Sequence, residues 1–289
     1  MKNNIVMVVN PISGDLNKDE MVTAATLFAE KEGLQLQLFE TTGNEDIEGI
    51  RSFCEKHQPQ RVLVAGGDGT IKITAEAILE TDIIMGILPA GSANGLSVDL
   101  NLPTTLEENL QIAFHGDFME MDMICINNRK SMHLSDLGLN AQLVKNYENG
   151  STRGKLGYML QTITTLSEEE EPFTATIQAN HRTIETTARM IVIANSQKYG
   201  SGVTINPNGK MNDGQFEIVI LKNLDLLVFA KIITGNIPVD SEDVEIISTD
   251  KATITTTIPV SFQIDGEFIG AESHLDVYIL HKVMRVAVG

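Results

Sequence analysis

The chain has 289 residues, 42% hydrophobic and 21% charged, which suits a folded protein of one large or two modest domains. Its net charge of −18 excludes a nucleic-acid grip, which needs clustered Lys and Arg, and a broad polybasic hold on anionic lipid. The apolar run at residues 5–9 is too short for a signal-peptide core, Asp225 and Lys231 break the most apolar later stretch, and Cys54 and Cys125 lack metal spacing; a cytoplasmic protein is expected.

Residues 4–9 read as a first strand, and Asn10-Pro-Ile-Ser-Gly14 leads into a helix over 17–32 with Val22, Ala25, Leu27 and Ala29 on one face. Gly33 ends that helix, and residues 34–39 alternate apolar side chains with glutamine as a second strand. Thr41-Thr42-Gly43 follows, then a helix over 45–56 that stops before Pro59. Residues 61–65 are apolar and rich in valine, a buried third strand that runs into Gly66-Gly67-Asp68-Gly69-Thr70. Thr70 is placed to cap a helix over 71–79. Residues 83–88 give a fourth strand, followed by Leu88-Pro-Ala-Gly-Ser-Ala-Asn-Gly95 and a helix over 106–114 with acids in its first turn. Strand and helix alternate to about residue 120, the pattern of a doubly wound parallel sheet.

Beyond that point short alternating runs dominate: 121–126, 173–179, 182–188, 190–194, 215–221, 252–258, 260–264 and 275–280. Asn127-Asn128, Asn180-His181, Asn208-Gly209 and Asp213-Gly214 separate them as turns, which predicts an antiparallel β-sandwich. A helix over 155–166 interrupts the run of strands and ends at the acidic stretch 168–171 and Pro172, read as a solvated linker.

Three polar, glycine-bearing loops after three strands would gather on one edge of a parallel sheet, where open α/β folds bind ligands. The glycines of 66–69 permit positive φ and close approach to the main chain, and a following helix N-terminus favours an anion. Taken alone, Gly-Gly-Asp-Gly reads equally as a tight turn or a phosphate loop. Together with the other two loops it resembles the soluble lipid kinases built on the diacylglycerol kinase catalytic domain, which include bacterial diacylglycerol kinases and sphingosine kinases. The resemblance runs from Asn10 to Glu267.

That resemblance implies an α/β nucleotide-binding domain at 1–120, a β-sandwich lipid-substrate domain at 121–280, and a return of 281–289 to the first. It implies ATP held by Asn10, Ser13, Gly14, Thr41, Gly66, Gly67, Asp68, Gly69, Thr70 and Ser92, with Asp68 facing the nucleotide or its Mg²⁺. In Asn208-Gly-Lys-Met-Asn-Asp-Gly-Gln-Phe216 it implies a structural Mg²⁺ on the Asp213 carboxylate and the Lys210 and Gln215 carbonyls; a plain hairpin turn fits the same spacing. Residues 193–202 match the family's Asn-x-x-x-x-Gly-Gly segment. In Phe262-Gln-Ile-Asp-Gly-Glu267 it makes Glu267 the base that takes the hydroxyl proton, with Asp265 on metal or orientation, where spacing alone reads a hairpin. Lys72-Ile73-Thr74 replaces the family's Asn-Glu-Val, and Gly95 stands where bacterial relatives carry an acid, closer to the sphingosine kinase version. The expected partner is a lipid met transiently at a membrane surface, with no nucleic acid and no transmembrane segment, and a homodimer is left open. The alternatives are a nucleotide-binding regulator of the same fold without turnover and, further off, an NAD kinase.

Overall fold

The computed structural model describes residues 4–11, 18–91, 94–138, 141, 171–198, 203–223 and 242–289. The chain divides into two compact units, Met1–Met121 with Lys282–Gly289, and Asp122–His281.

The first unit is built from β1 (Asn4–Val9), α1 (Lys18–Lys31), β2 (Gln35–Glu40), α2 (Asp46–His57), β3 (Arg61–Gly66), α3 (Asp68–Ala77), β4 (Ile84–Pro89), α4 (Gly95–Asp99) and α5 (Leu106–His115). Its strands run parallel in the order β4-β3-β1-β2, and Arg285 and Val286 near the chain's end pair in parallel with Ile84 and Met85. The inner strands are nearly continuous apolar runs because helices cover both faces. Ile5, Met7, Val9, Leu63, Ala65 and Leu88 pack against Met21, Ala25 and Ala29 of α1 and Leu110, Ala113 and Phe114 of α5. Val6, Val8, Val62 and Val64 alternate with them and are fully buried on the face of α2 and α3. β2 alternates with glutamine because it is an edge strand with a half-exposed face.

Capping follows local chemistry. Thr105 accepts the Glu108 N–H and donates its hydroxyl to the Glu108 carboxylate, a side-chain N-cap that starts α5. The Arg61 guanidinium donates to the carbonyls of Ala113 (3.2 Å) and Gly116 (2.6 Å) where α5 ends. One expectation fails: α3 starts at Asp68 with extended Gly67 as its N-cap, so Thr70 sits inside the first turn and caps nothing. Glycine at an N-cap costs only a few tenths of a kcal/mol relative to a polar cap, and Thr70 packs instead against Gly66, where a Cβ would lie 2.5 Å from the threonine Cβ. The single turn of α4 also went unseen, being too short to show helical periodicity.

The second unit takes part of β5 (Asp117–Ile126) and contains β6 (Arg129–Ser131), β7 (Leu134–Gly138), β8 (Phe173–Ala179), β9 (Arg182–Ala188), β10 (Met190–Ala194), β11 (Phe216–Leu221), β12 (Val244–Thr249), β13 (Lys251–Ile264) and most of β14 (Glu267–Val288). Its pairings are antiparallel: β12-β11-β10-β7-β13-β14, with β8 on β13, β9 on β8 and β6 on β5. Residues 252–258 and 260–264, expected as two strands, are one strand whose register with β14 shifts between Thr255 and Val260, around Pro259. Its first half pairs with β8 and its second with β7, so one strand serves both layers of the sandwich. Ile177 and Ile254 from one side and Ile191, Phe216 and Ile218 from the other share a single core. Asn127-Asn128, Asn180-His181 and Asp265-Gly266 all have positive φ and make two-residue hairpins, Ile126 facing Arg129, Ala179 facing Arg182 and Ile264 facing Glu267. The helix expected over 155–166 lies outside the described residues.

Candidate active site

In the first unit Val9 pairs with both Glu40 and Ala65, and Gly66 with Pro89, so Asn10, Thr41, Gly67 and Ala90 follow at one edge of the sheet. Two loops there meet backbone to backbone. A Cβ on Gly91 would stand 2.5 Å from the Gly67 Cα and one on Gly67 3.1 Å from the Gly91 Cα, so a side chain at 91 would force the loops apart and one at 67 would press on them. The Ala90 N–H donates to the Gly66 carbonyl at 2.9 Å. Asn94, in the left-handed region, brackets the third loop: its Oδ1 accepts the Gly91 N–H at 2.8 Å and its Nδ2 donates to the Gly91 carbonyl at 2.9 Å. Asp68 ties the loops again, since its carboxylate accepts the N–H groups of Gly95 (2.9 Å) and Leu96 (3.2 Å). Gly69 is exposed beside it in the first turn of α3, where the amides of Asp68, Gly69 and Thr70 have no partner within the helix.

The other residues of this edge are ordered around the same loops. The Asn10 N–H donates to the Ala65 carbonyl at 3.3 Å, and the Thr41 N–H to the Val9 carbonyl at 2.9 Å, which leaves Thr41 buried. Asp46 holds the N–H groups of Thr42 and Gly43 at 2.8 Å each. Lys18, which the sequence did not single out, is buried at the start of α1 with its ammonium 3.2 Å from the Ala90 carbonyl. Ser13, Gly14 and Ser92 lie outside the described residues.

In the second unit the Asp265-Gly266 turn places two acids in unlike settings. The Asp265 carboxylate accepts the Ser131 hydroxyl (2.9 Å), the Met132 N–H (3.0 Å) and the His133 N–H (3.0 Å), and its own N–H donates to the Leu134 carbonyl at 2.9 Å. Ser135 donates to Ser131 at 2.9 Å behind it. Asp265 therefore acts as a latch on the 131–134 segment. Glu267, first residue of β14, is exposed.

Asp213 is exposed, and its Oδ1 accepts the Gln215 N–H at 3.1 Å. The turn around it is anchored by Asp122, which the sequence reading missed because one acid in an alternating strand looks like a solvent-facing position. Asp122 is fully buried: Oδ2 accepts the Gly214 N–H at 2.7 Å, Oδ1 lies 2.9 Å from His281 Nδ1, and its N–H donates to the Met211 carbonyl at 2.7 Å. Asn195 binds the same region from behind, donating to the carbonyls of Asp122 and Met132 at 2.9 Å each. One exposed carboxylate with the Lys210 and Gln215 carbonyls on the same turn is a hard oxygen set that fits Mg²⁺. Among the described residues no three His, Cys, Asp or Glu converge, so an ion there would keep most of its water.

A parallel α/β unit with polar loops at one sheet edge, followed by an antiparallel sandwich, is a two-part fold, and comparison with known proteins gives its class. The diacylglycerol kinase catalytic domain matches residues 4–126, and the YegS C-terminal NAD kinase beta sandwich-like domain matches residues 134–288. The chain belongs to this family of lipid kinases. A protein of Escherichia fergusonii named "Probable lipid kinase YegS" is 23% identical over 282 residues, 94% of this chain and 92% of its own. An uncharacterized Synechocystis protein is 28% identical over 236 residues, 78% of this chain; the chain spans about half of that relative, 54% of its length. Solved structures of a candidate diacylglycerol kinase and of a diacylglycerol kinase from Bacillus anthracis share the fold, with TM-scores of 0.83 and 0.77 at 22% and 19% identity, each covering 99% of this chain and 97% of the other. Among the described residues no helix is long and apolar enough to cross a membrane.

Proposed function

We propose that the chain transfers the γ-phosphoryl group of ATP, as its Mg²⁺ complex, to a hydroxyl of a lipid of the diacylglycerol or sphingoid type. The observation that carries this reading is the contact between Gly67 and Gly91, which brings two glycine loops and the start of α3 together with no side chain between them. Phosphate oxygens approach main-chain amides most closely where Cβ atoms are missing. In this reading Gly67, Gly69 and Thr70 offer amides to the phosphates and Gly66, at the end of the β3–β4 ladder, leaves room beside them, while Asn10, Ser13, Gly14, Thr41 and Ser92 complete the nucleotide loops. Asp68 fixes the loop geometry through Gly95 and Leu96 and keeps lone pairs for the hydration shell of the nucleotide's cation.

The second unit supplies the proton acceptor and the lipid side. Glu267 takes the proton of the lipid hydroxyl as its oxygen bonds to the γ-phosphorus and the bond to the ADP oxygen breaks. Mg²⁺, when bound, would neutralise charge at the phosphates, and Asp213, Lys210 and Gln215 would hold a second ion steadying the turn that Asp122 anchors. The two units are assigned nucleotide and lipid roles in turn, and the enzyme works in the cytoplasm at a membrane surface.

The test is radiolabelled ATP with a total lipid extract in mixed micelles, with and without Mg²⁺. One Mg²⁺-dependent labelled lipid is expected, and its stability to mild alkali separates a glycerolipid phosphate from a sphingoid phosphate. A folded protein that labels no lipid in any extract would end this reading.

A further inference from the structure

The turn that carries Glu267 is held by a buried side-chain pair within the sandwich. Asp136 of β7 and Gln263 of β13 are direct cross-strand partners, and their exposures are 0% and 1%. Antiparallel partners have Cβ atoms about 4.5–5.5 Å apart, so the two side chains meet by register alone. Strand alternation puts them on the face of Leu134 and Val192, which belong to an apolar cluster. A carboxylate and an amide buried among aliphatic groups are unfavourable there unless they bind each other.

Gln263 Nε2 donates to Asp136 Oδ2, and Gln263 Oε1 accepts the Gly266 N–H at 2.7 Å. An amide side chain has a donor at one end and an acceptor at the other, and only one orientation holds Gly266. Asp136 accepts through Oδ2, which keeps the amide nitrogen toward itself and the carbonyl oxygen toward the turn. Gly266 immediately precedes Glu267, and the second anchor of the turn is the Asp265 latch.

We propose that Asp136 and Gln263 are positioning residues for the phosphoryl transfer: Asp136 orients the Gln263 amide, which holds the Gly266 N–H and fixes where the Glu267 carboxylate stands. This rests on Glu267 being the base.

The test exchanges the two functional groups. In Asp136→Asn the amide of Gln263 can face either way, and kcat is expected to fall about tenfold, within the ~10²-fold that a misplacement of about 1 Å causes. In Gln263→Glu two carboxylates oppose each other, and kcat is expected to fall about 10²-fold. The double variant Asp136→Asn/Gln263→Glu restores one carboxylate and one amide, with the carboxylate now at position 263 accepting both the amide introduced at position 136 and the Gly266 N–H; kcat is expected to recover to within about threefold of the parent. KM for ATP stays constant in all three, because the nucleotide loops belong to the other unit.

An apolar pair, Asp136→Leu/Gln263→Met, guards against variants that simply fail to fold. It removes the buried polar groups, so it should melt at or above the parent temperature yet turn over at least tenfold more slowly, because Gly266 has lost its acceptor. A purely structural pair would give the opposite, with kcat unchanged. Single variants with parental kcat, or no recovery in a folded double variant, would overturn the inference. Glu267→Gln run alongside keeps the two ideas apart: if it retains turnover, the base assignment falls; if it is inactive while the exchanged variants are normal, the base stands and the positioning role falls.

Discussion

Asp68→Asn probes the junction of the two glycine loops. Both carboxylate oxygens of Asp68 accept backbone N–H groups, from Gly95 at 2.9 Å and Leu96 at 3.2 Å, across 27 and 28 residues of sequence. A hydrogen bond to a charged group contributes about 1.5–3 kcal/mol. Asparagine keeps one acceptor oxygen and turns an NH₂ toward the other donor, so one bond is lost and the survivor loses its charge. The local cost is about 2–4 kcal/mol, roughly a 30- to 700-fold rise in the population of the opened loop. Domains of this size have about 5–15 kcal/mol of stability, so the protein still folds. Amide hydrogen exchange reads this directly: Gly95 and Leu96 should exchange about 10²-fold faster, Ala25 and Ile50 in the helices should not change, and calorimetry should show nucleotide affinity at least tenfold weaker. Asp68→Ala should go further, since it removes both acceptors. Parental exchange at Gly95 and Leu96 in a folded Asp68→Asn protein would refute the reasoning.

Glu267→Gln should lower kcat by about 10²–10⁴ with KM for ATP nearly constant, whereas Asp265→Asn should mainly lower the melting temperature, because the Ser131, Met132 and His133 donors lose a shared carboxylate. Near-normal turnover in the first and a folded but dead second variant would transfer the base to Asp265. Added Mg²⁺ without nucleotide should raise the melting temperature of the parent but not of Asp213→Asn; a parent curve indifferent to Mg²⁺ removes that ion. Burial pushes the Cys54 thiol from 9.0 up to about 11, so it should react slowly with thiol reagents at neutral pH. A raised folded pKa gives a contribution complete below about pH 9 and lost as pH climbs toward 11, about 2–3 kcal/mol in all. Denaturant unfolding of Cys54→Ala should show a shallower alkaline decline than the parent, and parallel curves would count against it.

The parallel unit was legible because its inner strands are buried on both faces and separated by glycine, proline and capping residues. The observed bounds of β1 to β4 and of α1 and α2 differ from the expected ones by no more than two residues. The sandwich was harder to read. β7 carries Ser135 and Asp136 in its buried centre, so its polarity makes sense only once Ser131 and Gln263 are seen beside it. β14 runs for 22 residues, yet only its stretch at 275–280 showed as a strand, because much of its length is exposed and charged. Pro259 cut β13 in two on paper, while in the fold it sits at the register shift where the strand changes partners.

The candidate site was legible as a set of loops but not as a set of contacts, and the reason is a rule about half-buried acids. A carboxylate inside a tight turn loses part of its water and must find donors, and the nearest donors are backbone N–H groups of whatever segment packs against the turn. For Asp68 that segment is α4, and for Asp265 it is the stretch 131–133, more than 130 residues away in sequence. Neither partner can be read from a motif, so both acids look equally available for a ligand on paper. A base has the opposite requirement: it must keep a lone pair facing the substrate and tolerate changing its charge. The Asp265 carboxylate is committed to three donors, which suits a latch on the 131–134 segment rather than a base. Glu267 stands exposed two residues later, at the head of a strand whose entry is set by Gln263 and Gly266. The assignment of the base to Glu267 thus draws support from the unlike surroundings of the two acids, independent of the family's motif.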